Sequence, residues 1–323
     1  MRGWLNRPGT NWWRGQNGVR AGYRVLVFIA VYILVGILLA VLLHGLAHFL
    51  IHDHAGGAQA ALAHHSTSPS ASHLQPKKRH MRLPMWLSEC LAILVVLIAT
   101  KIMTWLEDRS LWSCYLTARR RVGPLLIGLA CGIAALAVLI GLLLVTGHAH
   151  IGFPQADWGV ILRNCLFGLI LALLIGFNEE LTFRGYIQQT LNSRLGFWLA
   201  LVLTSALFCV AHLGNPNENF IGIASVFGAG VVLCIGLRQT GALWWSIGFH
   251  AGWDFSEDYL FGTHDSGITM HGALLNTVPH GATWLSGGMV GPEGSIFSLL
   301  VELIAAILLL TLWRRPDAEK AGV

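Results

Sequence analysis

A chain of 323 residues that is 54% hydrophobic and only 11% charged is not an ordinary soluble domain, in which about 25% of residues are charged. Its mean hydropathy of +0.61 and its repeated long apolar runs call for an all-α polytopic membrane protein, since the runs are too continuous for the alternating strands of a transmembrane barrel. The net charge of +5 does not point to nucleic acid, because basic residues in such a chain mark its cytoplasmic loops.

Residues 1–24 form a basic arm. Arg2, Arg7, Arg14, Arg20 and Arg24 stand among Trp4, Trp12 and Trp13, a mixture suited to the lipid headgroup layer and too polar for a cleavable signal peptide. Spans are predicted over 25–51, 85–104, 124–146, 158–177, 197–212, 220–237, 242–260 and 295–313, and the fourth helix is free to continue to residue 191. Residues 52–80, rich in Ala, Ser and His and ending in Lys77-Lys78-Arg79, are predicted to be a disordered loop. Residues 263–294 form a polar loop whose glycines suit a mobile lid. Eight spans put both termini on one side. The arginines at 2–24, 109–121, 238 and 314–315 then share a face, which the positive-inside rule makes cytoplasmic; Lys77, Lys78, Arg79 and Arg82 run against it. There is no internal repeat of the kind many transporters carry. Cys90, Cys114, Cys131, Cys165, Cys209 and Cys234 form no C-x-x-C pair, which argues against a disulfide framework or a cysteine zinc site.

The expensive part of the chain is Glu179-Glu180-x-x-x-Arg184, placed straight after an apolar run, where charge is costly. Adjacent helical residues point about 100° apart, so the two glutamates cannot share a role. Glu180 and Arg184, four apart, meet on one face. Glu179 is left to face a cavity, where a carboxylate suits a general base. Two further polar positions stand on later apolar runs: His212, in Phe208-x-x-x-His212, and the pair His250-x-x-x-Asp254, whose spacing puts both on one helix face. Polar groups on membrane helices turn toward one another, so Glu179, His212, His250 and Asp254 are expected to converge on one wet cavity. Two histidines with carboxylates are zinc-competent, although no H-E-x-x-H is present.

These three motifs, in this order, resemble those of the CPBP family of intramembrane endopeptidases, also called the Abi or type II CAAX-protease family. The resemblance covers about residues 120–313, including Gly291-Pro-Glu-Gly294 before the last helix. It implies an intramembrane protease core there, behind the arm 1–24 and two additional helices in 25–119, with 314–323 as a cytoplasmic tail. It implies hydrolysis of peptide bonds in membrane-associated peptides or proteins at the cytoplasmic side. Glu179 would be the general base for water and His212 its helper, while His250 and residue 254 would stabilise the oxyanion. Glu180 and Arg184 would be the structural pair. CAAX-processing members often carry Asn where this chain has Asp254, which donates a hydrogen bond only when protonated. The family has been described both as metalloprotease and as glutamate protease, so zinc or another divalent metal on Glu179, His212, His250 and Asp254 is one expectation and a metal-free site the other. The composition reads as bacterial, hence an inner-membrane protein with lipid and peptide as partners. The competing class is a non-proteolytic immunity or scaffold protein, or a metal carrier using His44, His48, His52, His54 and His64-His65. Lys101 and Glu302 read as snorkelling or interhelical charges, and Phe183, Trp244, Trp245 and Trp253 as packing or interface residues.

Overall fold

The computed structural model describes residues 4–7, 14–15, 18–62, 84–116, 121–153, 157–270 and 272–313. A short hairpin, β1 (Arg14–Gly15) with β2 (Gly18–Val19), leads into α1 (Ala21–Leu62), α2 (Met85–Leu106) and α3 (Val122–Val145). After β3 (Ala149–Gly152) comes α4 (Trp158–Glu180), which passes through a π-helical stretch, Leu181–Ile187, into α5 (Gln188–Leu195) without a break. Then follow α6 (Phe197–His212), α7 (Phe220–Thr240) and α8 (Trp244–Phe255), the last ending in a second π-helical stretch, Ser256–Phe261. Short strands β4 (His264–Asp265), β5 (Ile268–Thr269) and β6 (Asn276–Pro279), the turn α9 (Thr283–Ser286) and α10 (Ile296–Leu312) complete the described residues.

Among the described residues, five helical segments are long and apolar enough to cross a membrane: Ala21–Gly45, Met85–Leu106, Val122–Val145, Trp158–Leu195 and Phe220–Thr240. The apolar α6 and α10 are shorter, at 16 and 17 residues. Many large apolar side chains point outward, among them Leu34, Leu38 and Leu42 on α1, Leu162, Leu166 and Phe167 on α4, and Leu303 and Ile307 on α10. A surface so apolar is suited to lipid rather than water. The chain is thus an integral, multi-pass, mostly helical membrane protein.

Lipid tails are as apolar as leucine, so membrane helices associate through close packing and polar contacts rather than through exclusion of water. The tightest packing here is glycine on backbone. Gly128 and Gly132 of α3 face Gly248 and Gly252 of α8. A Cβ added at Gly128 would lie 2.1 Å from the Trp245 carbonyl oxygen, and one at Gly252 2.3 Å from that of Leu129. On its other flank α8 meets Gly176 of α4, whose added Cβ would lie 3.1 Å from the Ile247 carbonyl. The helix that carries His250 and Asp254 is therefore held at backbone distance between two neighbours. A polar junction closes the opposite end. Buried Glu107 accepts from Tyr186 Oη at 2.7 Å and pairs with Arg24 at 3.2 Å and Arg109 at 2.9 Å, while Phe28 stacks on the Tyr186 ring at 4.6 Å.

Several expectations are corrected. α1 does not stop at residue 51; it runs on to Leu62. The remainder of the expected loop, 63–80 with Lys77, Lys78 and Arg79, lies outside the described residues, as do Arg2, Arg82, Arg119, Arg120, His64, His65 and the tail 314–323. His44 is exposed; the side chains of His48, His52 and His54 lie outside the described ones. The loop 263–294 is partly strand: β6 pairs antiparallel with β3, Ala149 opposite Pro279 and Gly152 opposite Asn276, and β4 pairs with β5. Strands of two to four residues are too short to announce themselves by alternation.

Because Gly132 and Gly252 have no room for a side chain, Gly132→Val or Gly252→Val should destabilise the detergent-solubilised protein by ~3 kcal/mol or more. Gly141→Ala, where nothing lies within 4 Å, should leave the thermal midpoint unchanged or raised.

Candidate active site

The helical hydrogen-bond pattern delivers Glu179 and Glu180 to different surroundings. Glu180 is fully buried, and its Oε1 accepts from Arg184 Nη1 at 2.9 Å, an i,i+4 pair in which both side chains are 0% exposed. The same oxygen lies 3.1 Å from His250 Nδ1. Glu179 points elsewhere, its side chain 28% exposed, with Oε2 3.7 Å from His250 Nε2 and 3.9 Å from His212 Nε2. His250 Nε2 also lies 3.6 Å from Asp254 Oδ2. The four residues expected to share a cavity therefore meet, brought from α4, α6 and α8, and Glu180 with Arg184 stands behind them.

Each histidine has one nitrogen committed. His212 Nδ1 lies 2.9 Å from the Phe208 carbonyl one helical turn earlier, which makes Nδ1–H the donor and leaves Nε2 to face Glu179. His250 Nδ1 is committed to Glu180, leaving Nε2 between Glu179 and Asp254. The first residue of Phe208-x-x-x-His212 acquires a physical purpose: its ring lies 4.3 Å beneath the Arg184 guanidinium and 4.4 Å from the His212 ring. It links the buried cation to the imidazole, with Phe183 edge-on against it at 5.1 Å.

Glu179, Phe208, His212, His250 and Asp254 line a pocket of about 220 Å³. Its wall also contains Glu89 of α2, Asp258, Asp265, Glu293 and Glu302, none of which the sequence pattern had drawn into the site. Asn178 Nδ2 donates to Glu89 at 3.4 Å. Glu302, expected as an interhelical charge, accepts from Ser225 of α7 at 2.5 Å. Trp253 donates from Nε1 to Glu293 at 3.2 Å, while Trp245 is core and Lys101 is exposed. In the loop, burial pushes the Asp265 carboxyl well above the usual carboxylate range, and the nearby Asp258, Asp254 and Glu293 push it the same way. The acidic wall was hidden because its members are dispersed over more than 200 positions and the fold assembles them; the local signals were Glu293 within Gly291-Pro-Glu-Gly294 and Asp258, four residues after Asp254.

By donor chemistry Glu179, His212, His250 and Asp254 could serve zinc, and His250 even has the outer carboxylate, Glu180, that metal-binding imidazoles favour. Their geometry does not fit. Among the described residues, the group whose ligand atoms come within 4.8 Å of one another is Glu257, Asp265 and Glu293, not these four. Glu179 lies between the two imidazoles instead of joining them at a common centre.

Residues 161–256 match the family model described as Rce1-like, type II CAAX prenyl endopeptidase. The matched stretch contains all three motifs, and over it the family resemblance drawn from them is borne out. No curated protein matches the chain.

Removing the cation behind the site should be costly. Arg184→Ala strands Glu180 as an unpaired buried charge, and the thermal unfolding free energy should fall by about 3–5 kcal/mol. Arg184→Lys should recover only part of this, because an ammonium lacks the planar fork that can bond Glu180 and cover the Phe208 ring at once.

Proposed function

From the membership of residues 161–256 in the Rce1-like type II CAAX prenyl endopeptidase family, we propose that this protein is an intramembrane endopeptidase in which Glu179 activates water directly. The observation that carries this reading is the placement of the Glu179 carboxylate 3.7 and 3.9 Å from two imidazole Nε2 atoms in an open pocket, while Glu180 beside it is fully buried and paired with Arg184.

In the proposed reaction Glu179 takes a proton from water as the oxygen attacks the scissile carbonyl carbon. His212, its Nδ1–H held by the Phe208 carbonyl, accepts or donates through Nε2 to orient that water. The tetrahedral oxyanion is met by donors on α8. Protonated His250 donates from Nε2, with Glu180 holding its other nitrogen and Asp254 stabilising its charge. Asp254 thus acts through His250 as a carboxylate, whereas an Asn at this position would donate an amide hydrogen to the oxyanion itself. Glu179 then passes its proton to the leaving amine nitrogen as the C–N bond breaks. Substrates are membrane-associated peptides or proteins, since the pocket lies among apolar helices.

Eight crossings are the membrane topology we favour: the five long segments, α6, α10, and α8 extended by its π-helical stretch. Arg20, Arg109, Arg121, Arg194 and Arg238 then belong to one face, which the positive-inside rule makes cytoplasmic. The pocket, however, is walled by Asn215, Asp265, Ser266, Met270 and Glu293, from loops of the other face. The arginine rule and a cytoplasmic-side active site cannot both hold. We give the rule priority, so substrate enters from the non-cytoplasmic side.

Glu179→Gln, which keeps shape and removes the base, should lower peptide-bond cleavage about 10²–10⁴-fold with the thermal midpoint retained, and a chelator should leave the wild-type rate unchanged. Cleavage of a membrane-peptide library that survives Glu179→Gln overturns the assignment of Glu179 as the base, and a wild-type protein that cleaves nothing in the library overturns the protease assignment; a rate abolished by chelation and restored by zinc overturns the metal-free reaction. For the orientation, in a Cys90→Ser background, Val278→Cys should react with an impermeant maleimide in intact cells, whereas Trp112→Cys should react only after permeabilisation. The reverse pattern overturns the assignment of faces.

A further inference from the structure

Beyond the catalytic pair on α8, the chain enters its second π-helical stretch and buries carboxylates that the proposed reaction does not use. Glu257 is 0% exposed, and neither of its carboxylate oxygens has a hydrogen-bond partner. The charged groups acting on it are Glu293, Asp265, Asp254 and Asp258, all acids. Asp258 adds a further buried oxygen, Oδ1, without a partner. A fully buried carboxylate with no donor, surrounded by acids, holds its charge only against a counter-charge, and coordination of a cation supplies one.

The geometry fits such a cation. One oxygen each from Glu257, Asp265 and Glu293 lie within 4.8 Å of one another. Three points that close can all be met from a centre no more than ~2.8 Å away, which accommodates the ~2.3–2.6 Å of calcium–oxygen bonds. The donors are all oxygen, the preference of a hard cation and not of zinc or copper. The backbone is also arranged for the purpose. Thr263 N–H and Oγ1–H donate to the Glu257 carbonyl at 2.9 and 3.2 Å, fixing the chain as it leaves the helix. Gly267 N–H donates to the Val290 carbonyl at 2.8 Å. Ser266 Oγ–H and Trp253 Nε1–H donate to the two oxygens of Glu293 at 3.0 and 3.2 Å. Three segments distant in sequence, the end of α8, the β4–β5 turn and the turn before α10, are thereby presented to one point.

We propose that Glu257, Asp265 and Glu293, with Asp258 alongside, form a calcium site that fastens the loop 263–294 to the catalytic helix α8. It is separate from the Glu179, His212, His250 and Asp254 set and does not depend on the protease assignment. Calcium neutralises the acidic wall and holds in place the loop residues, Asp265, Ser266 and Glu293, that line the pocket. On the non-cytoplasmic side calcium is abundant, and extracellular modules commonly bind it with dissociation constants of about 10⁻⁴–10⁻³ M.

The test uses the full chain in detergent, stripped with chelator, and reads thermal unfolding and calorimetric calcium binding. Calcium should raise the thermal midpoint in a saturable way with about one ion bound, and magnesium should do so more weakly. Glu257→Gln and Asp265→Asn should abolish both the shift and the binding heat, while unfolding at or above the midpoint of the calcium-free wild type, because they remove buried repulsion. Glu179→Gln should keep the full calcium response, which separates this site from the catalytic one. The absence of any calcium response in the wild type, or a response that Glu257→Gln leaves intact, overturns the proposal.

Discussion

The Glu180–Arg184 ion pair is the constraint on which the site rests. Both side chains are completely buried, and removing two charges from water costs several kcal/mol per ion before their attraction offsets it. Such a pair is weak evidence for stability but strong evidence for position. Its carboxylate fixes the His250 ring through Nδ1, and its guanidinium covers the Phe208 ring that touches His212. One pair therefore sets two imidazoles on different helices, and with them the space around Glu179. The adjacent glutamates divide the work because helix geometry sends them apart: one spends its hydrogen-bonding capacity inside the protein, and the other keeps its own for the pocket.

That constraint works only if α8 stands close to α4, and here the glycines decide. With Gly176 on one flank and Gly128, Gly132, Gly248 and Gly252 on the other, α8 lies between two backbones. Its polar groups cannot be repositioned by side-chain repacking. In a bilayer this is the available means of fixing a helix, since burial of hydrocarbon gives little preference between lipid and protein.

Much of this was legible in the sequence. Apolar run length located the helices, and the i,i+4 spacing of Glu180 with Arg184 and of His250 with Asp254 foretold which groups share a face. The continuation of α4 toward residue 191 was foreseen, because no Pro or Gly pair interrupts it before Gly196. What escaped was of two kinds. Glu89, Asp265 and Glu293 are single acids with no periodic partner, and only tertiary folding collects them beside Glu257 and Asp258. The π-helical stretches Leu181–Ile187 and Ser256–Phe261 differ from an α-helix by one residue per turn, which polarity patterns do not register, yet each begins directly beside a site motif, as such stretches often do at functional sites. The paired glycines were visible as Gly128-x-x-x-Gly132 and Gly248-x-x-x-Gly252, but the partner of each could not be known before the fold.

The unequal helix lengths have a consequence for the surrounding lipid. At 1.5 Å per residue, the continuous helix Trp158–Leu195 is about 57 Å long, whereas α6 and α10 are about 24 and 26 Å, shorter than a hydrocarbon layer of about 30 Å. Both short helices pack on α7. Where they cross the bilayer, lipids beside them must compress to match, while the long helix accommodates the bilayer by leaning. An endopeptidase of the kind proposed would then have a thinned layer beside α6, the helix that ends at His212. A substrate reaching it there within the plane of the bilayer would cross less hydrocarbon before it meets water.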